Sequence, residues 1–450
     1  MSGAVTLVLG LLLLGYLFVA SLTIPTLGRA AAFEGAPDSV ARAFDRRLEL
    51  AAALEDLPEW ERAALAPFVP AGAHTAEEAL AAFRGVIEGA RARRADDGAE
   101  PEVRAAQLDT LRARRVVLLA ERGRLEEAQG DLDELARAGH AAFVAAARAL
   151  ARGEARLADL ALAGEGWIGR TARARAGGEE RPAPGERTLA ALRVARATAL
   201  LVVVGLTALL AWLVRGRPPI VAGALAIPAP WTPQTGFGVL VRAAFLAVVV
   251  SVAFGVWIER SGAQLLWAPA VLLASAPLLV LARRHLASPI GIGAGELLGG
   301  PIALPTAALA ALGLFALERL GGGALRNAAL ALGASDPWVF EVGDLSASDA
   351  AFWWTALAGV VAGVLAQTLA FAGILFPSLR HVHGPVHAAV LTGLLYSAIQ
   401  TTSFPRMLAL AWAGVAYALS AERTRSLIPA LLAAATGFAL DQAFFALLYR

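Results

Sequence analysis

The chain alternates between segments that are almost purely apolar and one long segment rich in charge. An apolar run of about 20 residues can cross the ~30 Å hydrocarbon core of a bilayer as a helix. The first such run, Gly3–Ile24, contains no charged residue. Because its amino end also lacks the positive side chains of a signal peptide, residues 1–25 are predicted to form an uncleaved transmembrane anchor.

Eight further apolar runs follow residue 196. They lie at 197–214, 237–258, 264–282, 301–317, 350–376, 386–401, 404–420 and 427–449. With the anchor they predict about nine spans in an all-α polytopic transmembrane helical bundle, since only helices and closed barrels satisfy their backbone in lipid. Glu318 and Arg319 follow the fourth of these runs and are expected in a loop. Gly321-Gly322-Gly323 is expected to form a turn there.

Residues 26–195 interrupt the apolar pattern with a segment of Ala, Arg, Glu and Leu. Its apolar positions recur at helical spacing, which predicts an inserted α-helical domain. Within it, residues 118–128 predict a helix, a turn at Gly123 and a second helix. With Leu132 this spacing weakly resembles one tetratricopeptide unit, although such repeats bury a core only when several of them stack.

Composition narrows the classes of function. Hydrophobic residues make up 58% of the 450 residues and charged residues 17%, against about 25% charged in soluble domains. The sequence contains neither Cys nor Lys, which excludes thiol or lysine nucleophiles and cysteine-ligated metals. A net charge of +2 argues against nucleic acid as a partner. The expected partners are the lipid bilayer and a membrane protein or peptide that contacts residues 26–195.

The distribution of Arg over the short loops predicts the orientation. Seven lie in one set of loops and four in the other: Arg215, Arg217, Arg283, Arg284, Arg380, Arg423 and Arg425 against Arg260, Arg319, Arg326 and Arg406. Assigning the richer set to the cytoplasm follows the positive-inside rule. It predicts a cytoplasmic amino terminus, an extracytoplasmic domain over 26–195, and spans with a cytoplasmic loop over 196–262, in a protein of the cell inner membrane.

Polar side chains inside spans are candidate functional groups, because burying them in lipid is costly. The last spans contain few of them, and no Asp or Glu occurs between Asp349 and Glu422. Gln367, Gln400 and Asp441 are the side chains expected to line a polar cavity. The alternative is that each glutamine only bonds a neighbouring helix and that Asp441 reaches the interface.

Several short motifs lie around these polar positions. Gln367-Thr368 is followed by Phe376-Pro377-Ser378-Leu379-Arg380, then by Gly384-Pro385, Tyr396–Gln400 and Ser426-Leu427-Ile428-Pro429. Their order and spacing resemble the CPBP family, the intramembrane proteases that include type II CAAX prenyl endopeptidases and bacteriocin-processing proteins. The resemblance extends over residues 263–450. It implies a metalloprotease core in which a glutamate activates water while histidines and an asparagine bind a divalent metal or stabilise the oxyanion.

The same resemblance places neutral or apolar residues where the family has its catalytic groups. The six positions are Gln367 and Thr368 for the glutamates, Ala372 for the arginine, Gln400 for the second-motif histidine, and Ala434 and Phe438 for the third-motif histidine and asparagine. None of these side chains is a metal ligand of the implied kind, so no metal and no other cofactor is expected. A helix is expected to begin at Pro385 with His383 outside it, so a solvated loop region rather than a metal site is favoured for His381, His383 and His387.

The sequence therefore predicts a CPBP-like pseudoprotease that acts as a membrane binding or scaffold protein. Two alternatives stay open. One is an active intramembrane endopeptidase that uses a non-standard site. The other is a transporter-like permease, for which internal repeats and polar midplane sites would be typical.

Overall fold

The structure of the protein is a computed structural model. It describes residues 5–12, 37–69, 72–92, 101–154, 157–214, 225–291, 293–299, 302–334, 349–400 and 403–449. Throughout these ranges the regular structure is helical and no strand occurs, so the all-α prediction is confirmed. Residues 5–12 of the predicted anchor are helical, whereas its residues 1–4 and 13–25 lie outside the described ranges.

The chain divides into two compact units. The membrane unit comprises Met1–Thr23, Ala197–Asp336 and Ala347–Ala443, and the helical unit comprises Ile24–Arg196, Pro337–Ser346 and Phe444–Arg450.

Seven helices build most of the helical unit. They are α1 Pro37–Glu55, α2 Glu59–Leu65, α3 Gly72–Ala92, α4 Pro101–Glu121, α5 Gln129–Arg137, α6 Ala141–Ala151 and α7 Trp167–Gly177. The predicted helix, turn and helix around Gly123 are confirmed. Gly123 has a φ of 70°, a value that glycine adopts without strain, and it separates α4 from the turn that leads into α5.

One hydrophobic core holds these helices together. Phe44 and Phe83 pack edge to face with ring centroids 5.6 Å apart, and Leu111 and Leu132 are almost fully buried beside them. The alternation of these apolar positions with Arg and Glu at helical spacing explains why each helix buries one face and exposes the other.

Two acidic side chains of α1 tie later helices to it. The Asp45 carboxylate accepts a hydrogen bond from the Ile168 backbone N–H at 2.9 Å and forms an ion pair with Arg114 at 2.9 Å. Glu49 accepts from the Gly185 N–H at 2.8 Å and the Thr188 hydroxyl at 2.7 Å. Burial raises the pKa of Asp45, an effect that outweighs the lowering by Arg114. Such buried charges are tolerated only when they are paired.

The membrane unit contains the long apolar helices. They are α8 Glu186–Val214, α9 Pro233–Ser261, α10 Gln264–Ile290, α11 Leu304–Ala331, α12 Asp349–Leu379, α13 Pro385–Ala398, α14 Phe404–Thr424 and α15 Ile428–Tyr449. Seven of these are long and apolar enough to cross a bilayer, and α13 is shorter. Each of the eight runs predicted after residue 196 coincides with one of these helices. The protein is a multi-pass membrane protein.

The predicted loop after residue 317 is wrong. Glu318, Arg319 and Gly321-Gly322-Gly323 all lie inside α11. The glycines continue the helix and form no turn. Because they have no side chains, they let α11 approach α14 closely: Gly321 lies against the Trp412 indole and Gly322 against Ala409. Small residues at helix contacts have this role in membranes, where apolar burial supplies little association energy.

Candidate functional site

The helix α12 carries the first group of candidate residues and has an irregular geometry. Two π-helical turns, Gly359–Gly363 and Leu369–Leu375, enclose the segment with Gln367 and Thr368. The second turn ends just before Pro377, whose ring crowds the preceding turn and which donates no backbone hydrogen bond. Turns of this kind are frequent at functional sites because they redirect side chains.

A small cavity lies where α12 meets α13, α14 and α15. Its lining includes Gln367, Thr368 and Ala372 of α12 and Ala434 of α15. These are four of the six positions at which the family resemblance places catalytic groups. The cavity volume is about 10 Å³, enough for roughly one water molecule.

Three aromatic side chains border this cavity, and we call them the aromatic plug: Phe371, Tyr396 and Tyr417. The rings of Phe371 and Tyr396 pack edge to face with centroids 5.1 Å apart, and those of Tyr396 and Tyr417 with centroids 6.4 Å apart. The plug therefore leaves little free space beside Gln367 and Thr368.

The other predicted site residues lie elsewhere. Gln400 follows the last turn of α13, and the Phe438 ring packs against Gly359. Asp441 receives two hydrogen bonds from the Arg319 guanidinium, at 2.7 and 3.0 Å, and its side chain is 61% exposed. The structure thus brings Gln367 together with Ala434, but neither Gln400 nor Asp441 lines their cavity.

Sequence reasoning missed the groups that surround Asp441. Glu318 and Arg319 of α11, with Asp441 of α15, form what we call the charged cluster. Arg319 also lies 3.9 Å from Glu318, and the Tyr417 hydroxyl donates to Glu318 at 2.5 Å. A signal was present, because apolar residues resume at helical spacing after Gly323 and extend the predicted span beyond Arg319.

The residues around the cavity do not fit a divalent metal. None of the side chains that line it belongs to His, Cys, Asp or Glu. Across the described ranges, no three residues of these types come together in a way that could hold a metal ion. An amide, a hydroxyl and two phenols are poor substitutes for the nitrogen and carboxylate ligands that such metals take.

His381 and His383 lie in the loop that precedes α13. Helix α13 begins at Pro385 with Gly384 as its N-cap, so His383 lies outside it as predicted. His381 Nε2 lies 2.8 Å from the Ala229 carbonyl oxygen and 3.1 Å from that of Trp231. Arg380, from the Pro-x-Leu-Arg motif, forms an ion pair with Glu422 at 3.2 Å. These contacts connect the loop to other segments of the same chain, around residue 230 and at Glu422.

Residues 349–436 match the family model described as type II CAAX prenyl endopeptidase Rce1-like. The chain carries an Rce1-like domain. The resemblance predicted from the motifs is confirmed over this range, which is narrower than residues 263–450. The Rce1-like domain contains every residue that lines the cavity, whereas the charged cluster lies outside it. No curated protein and no solved structure matches the chain. Within this multi-pass membrane protein, residues 349–436 are thus similar to a family of membrane proteases.

Proposed function

We propose that this Rce1-like protein is a catalytically inactive pseudoprotease that acts as a membrane binding or scaffold protein. One observation carries the proposal. The cavity where four of the family's catalytic positions meet offers only Gln367, Thr368, Ala372 and Ala434 there, and it has room for about one water molecule.

The chemistry of these side chains supports the loss of hydrolysis. Peptide hydrolysis needs a group that removes a proton from water and a group that stabilises the oxyanion. The Gln367 amide takes up no proton near neutral pH, and phenols such as Tyr396 and Tyr417 lose theirs only near pH 10 in water. The Tyr417 hydroxyl proton is moreover directed to Glu318. We also infer that the protein works without a bound divalent metal, which metal analysis of the purified chain would test.

The placement of the two units belongs to the same proposal. The excess of Arg in one set of loops supports a cytoplasmic amino terminus and an extracytoplasmic domain over 26–195 for a protein of the cell inner membrane. In that orientation the domain would contact a membrane protein or peptide outside the cytoplasm while the spans anchor it.

A peptidase assay tests the proposal. The full chain is reconstituted into proteoliposomes with a farnesylated peptide that ends in a CAAX sequence, and cleavage is followed by mass spectrometry. We expect no product above that of empty liposomes. Cleavage that Gln367→Ala abolishes would overturn the proposal. Gln442→Ala is the matched control, because this second amide of a span does not line the cavity.

The same proteoliposomes test both alternatives. Cleavage that is lost in Asp441→Asn but kept in Gln367→Ala would indicate a non-standard protease site. Solute flux that depends on the protein would instead favour a permease. The Asp441 carboxylate is paired with Arg319 and does not line the cavity, so its position supports neither alternative.

A further inference from the structure

The helical unit contains a cavity that the Rce1-like match does not reach. It lies between α1, α3, α4 and α7 and has a volume of about 510 Å³. Ligand pockets in proteins typically measure about 300–1,000 Å³. Its floor is apolar and buried, with Ala51, Leu118 and Ile168 at 6% exposure or less. A cavity of this size with an apolar floor can hold at least one large side chain of a ligand.

Charged side chains form the rim, and part of them are already paired. Arg181 lies over the Trp167 ring and forms an ion pair with Glu55 at 3.4 Å. Arg122 forms an ion pair with Glu77, at 2.9 Å. These contacts order the rim, and the charged groups in them already have a partner within the protein.

Three other charged groups of this cavity have no such partner. Glu121, Arg175 and Glu179 line it, and none of them makes a hydrogen bond or ion pair through its side chain to another described residue. Together they carry one net negative charge. The complete lining holds three Glu and three Arg and so has no net charge, and a ligand that satisfies these three groups needs a donor for each carboxylate and an acceptor for the guanidinium.

Of these three groups, Glu121 lies in the environment least favourable for its charge. It is the last residue of α4, where the carbonyl end of the helix disfavours a negative charge. Burial raises its pKa, and this outweighs the lowering by Arg175, Arg181 and Arg122. A partly buried carboxylate without a donor destabilises a fold, and such groups are typical of binding sites.

We propose that this cavity binds a peptide segment that places an apolar side chain on the floor and an Arg or Lys side chain at Glu121. A peptide fits better than a simple amine, because its backbone carries both an acceptor for Arg175 and a donor for Glu179. An amine would leave the Arg175 guanidinium without an acceptor. The inference rests on the proposed binding role of the helical domain and specifies the chemistry of its partner.

Three blocked tripeptides test the assignment by calorimetry on the full chain in detergent micelles: acetyl-Leu-Arg-Leu-amide and its forms with Gln or Glu in the centre. We expect the Arg peptide to bind about tenfold tighter than the Gln peptide, as one charge-assisted hydrogen bond provides. Glu121→Gln should remove this preference. Glu126→Gln, an exposed glutamate outside the cavity, is the matched control and should retain it.

Arg175→Gln provides a second measurement. It should weaken the Arg and Gln peptides to the same extent and leave the ratio of their affinities unchanged. The assignment is overturned when the Arg peptide does not bind at millimolar concentration, when Glu121→Gln keeps the preference, or when the Glu peptide binds most tightly. Cleavage in the proteoliposome assay would refute the inactive protease and leave these affinities unaffected, so the two failures are distinguishable.

Discussion

The two units of this protein use charged side chains in opposite ways. In the helical unit they occur throughout, and buried ones such as Asp45 and Glu49 each bond several groups. In the described part of the membrane unit, the cavity of the Rce1-like domain is lined without a charge, and the charged cluster lies outside that domain. A fold that faces water can distribute ion pairs, whereas a bundle in lipid must keep each charge with a partner.

Close helix packing supplements the ion pairs of the membrane unit. Gly313 of α11 lies against the backbone of Leu209 on α8, and Gly321 lies against Trp412 on α14. Since lipid is as apolar as the side chains, shape and dispersion rather than the hydrophobic effect hold such helices together. The comparison predicts that each unit is sensitive to a different kind of substitution.

The largest effect is expected from Asp45→Ala in the helical unit. It leaves the buried Arg114 guanidinium and the Ile168 N–H without their carboxylate partner. Breaking a buried pair from one side costs about 3–5 kcal/mol. Urea denaturation of the full chain, followed by proteolysis of the helical unit, measures the change.

Arg124→Ala is the control for that prediction. Arg124 pairs with Glu127 on the surface, at 2.6 Å, and exposed pairs of this kind contribute about 0–1 kcal/mol. Equal losses in the two variants would show that burial does not decide the strength of ion pairs in this unit.

Gly313→Leu is expected to have the next largest effect, and it acts on the membrane unit. A side chain there would overlap the Leu209 backbone, so α8 and α11 would have to separate. Overpacking of this kind costs about 1–3 kcal/mol. Unfolding in mixed micelles with increasing SDS measures it. Gly363→Ala, where a side chain meets only an ordinary contact with Val271, should be nearly neutral.

These contacts also explain what the sequence could and could not predict. The spans follow from hydropathy alone, because a run such as 404–420 has no alternative to a helix in lipid. The end of α11 was missed although apolar residues resume at helical spacing after Gly323, because Glu318, Arg319 and three glycines are typical of a loop. The decisive information is that Trp412, Tyr417 and Asp441 meet them. That information lies in tertiary contacts.

The candidate site divides in the same way. The motif order along the chain was enough to predict the resemblance that the family model supports, and Gln367 with Ala434 indeed share one cavity. The aromatic plug was not predicted, because Phe371, Tyr396 and Tyr417 come from three helices whose facing depends on two π-helical turns. The cavity in the helical unit likewise depends on packing between helices distant in sequence.

Tyr417→Phe should have a smaller effect, about 1 kcal/mol. It removes the hydroxyl that donates to Glu318 at 2.5 Å and leaves the ring of the aromatic plug in place. Unfolding in SDS again measures the loss. Tyr396→Phe is the matched control, because no described residue makes a hydrogen bond to its hydroxyl, and it should leave stability unchanged. A larger loss in Tyr396→Phe would mean that the two phenols have exchanged roles.

The smallest effect is expected from Glu121→Gln, and its sign depends on pH. Burial holds the pKa of Glu121 above its ordinary value, so the folded chain keeps this proton to a higher pH than the unfolded chain does. Stability therefore falls as pH rises from the ordinary glutamate pKa through the raised one. Glutamine cannot ionise, so the variant should be more stable than the wild type at neutral pH and equally stable below the ordinary pKa. Denaturation midpoints at several pH values, with Glu126→Gln as the unchanged control, measure this difference.

A variant that is less stable at neutral pH would mean that Glu121 already has a partner, and the cavity would then have no free carboxylate for a basic side chain.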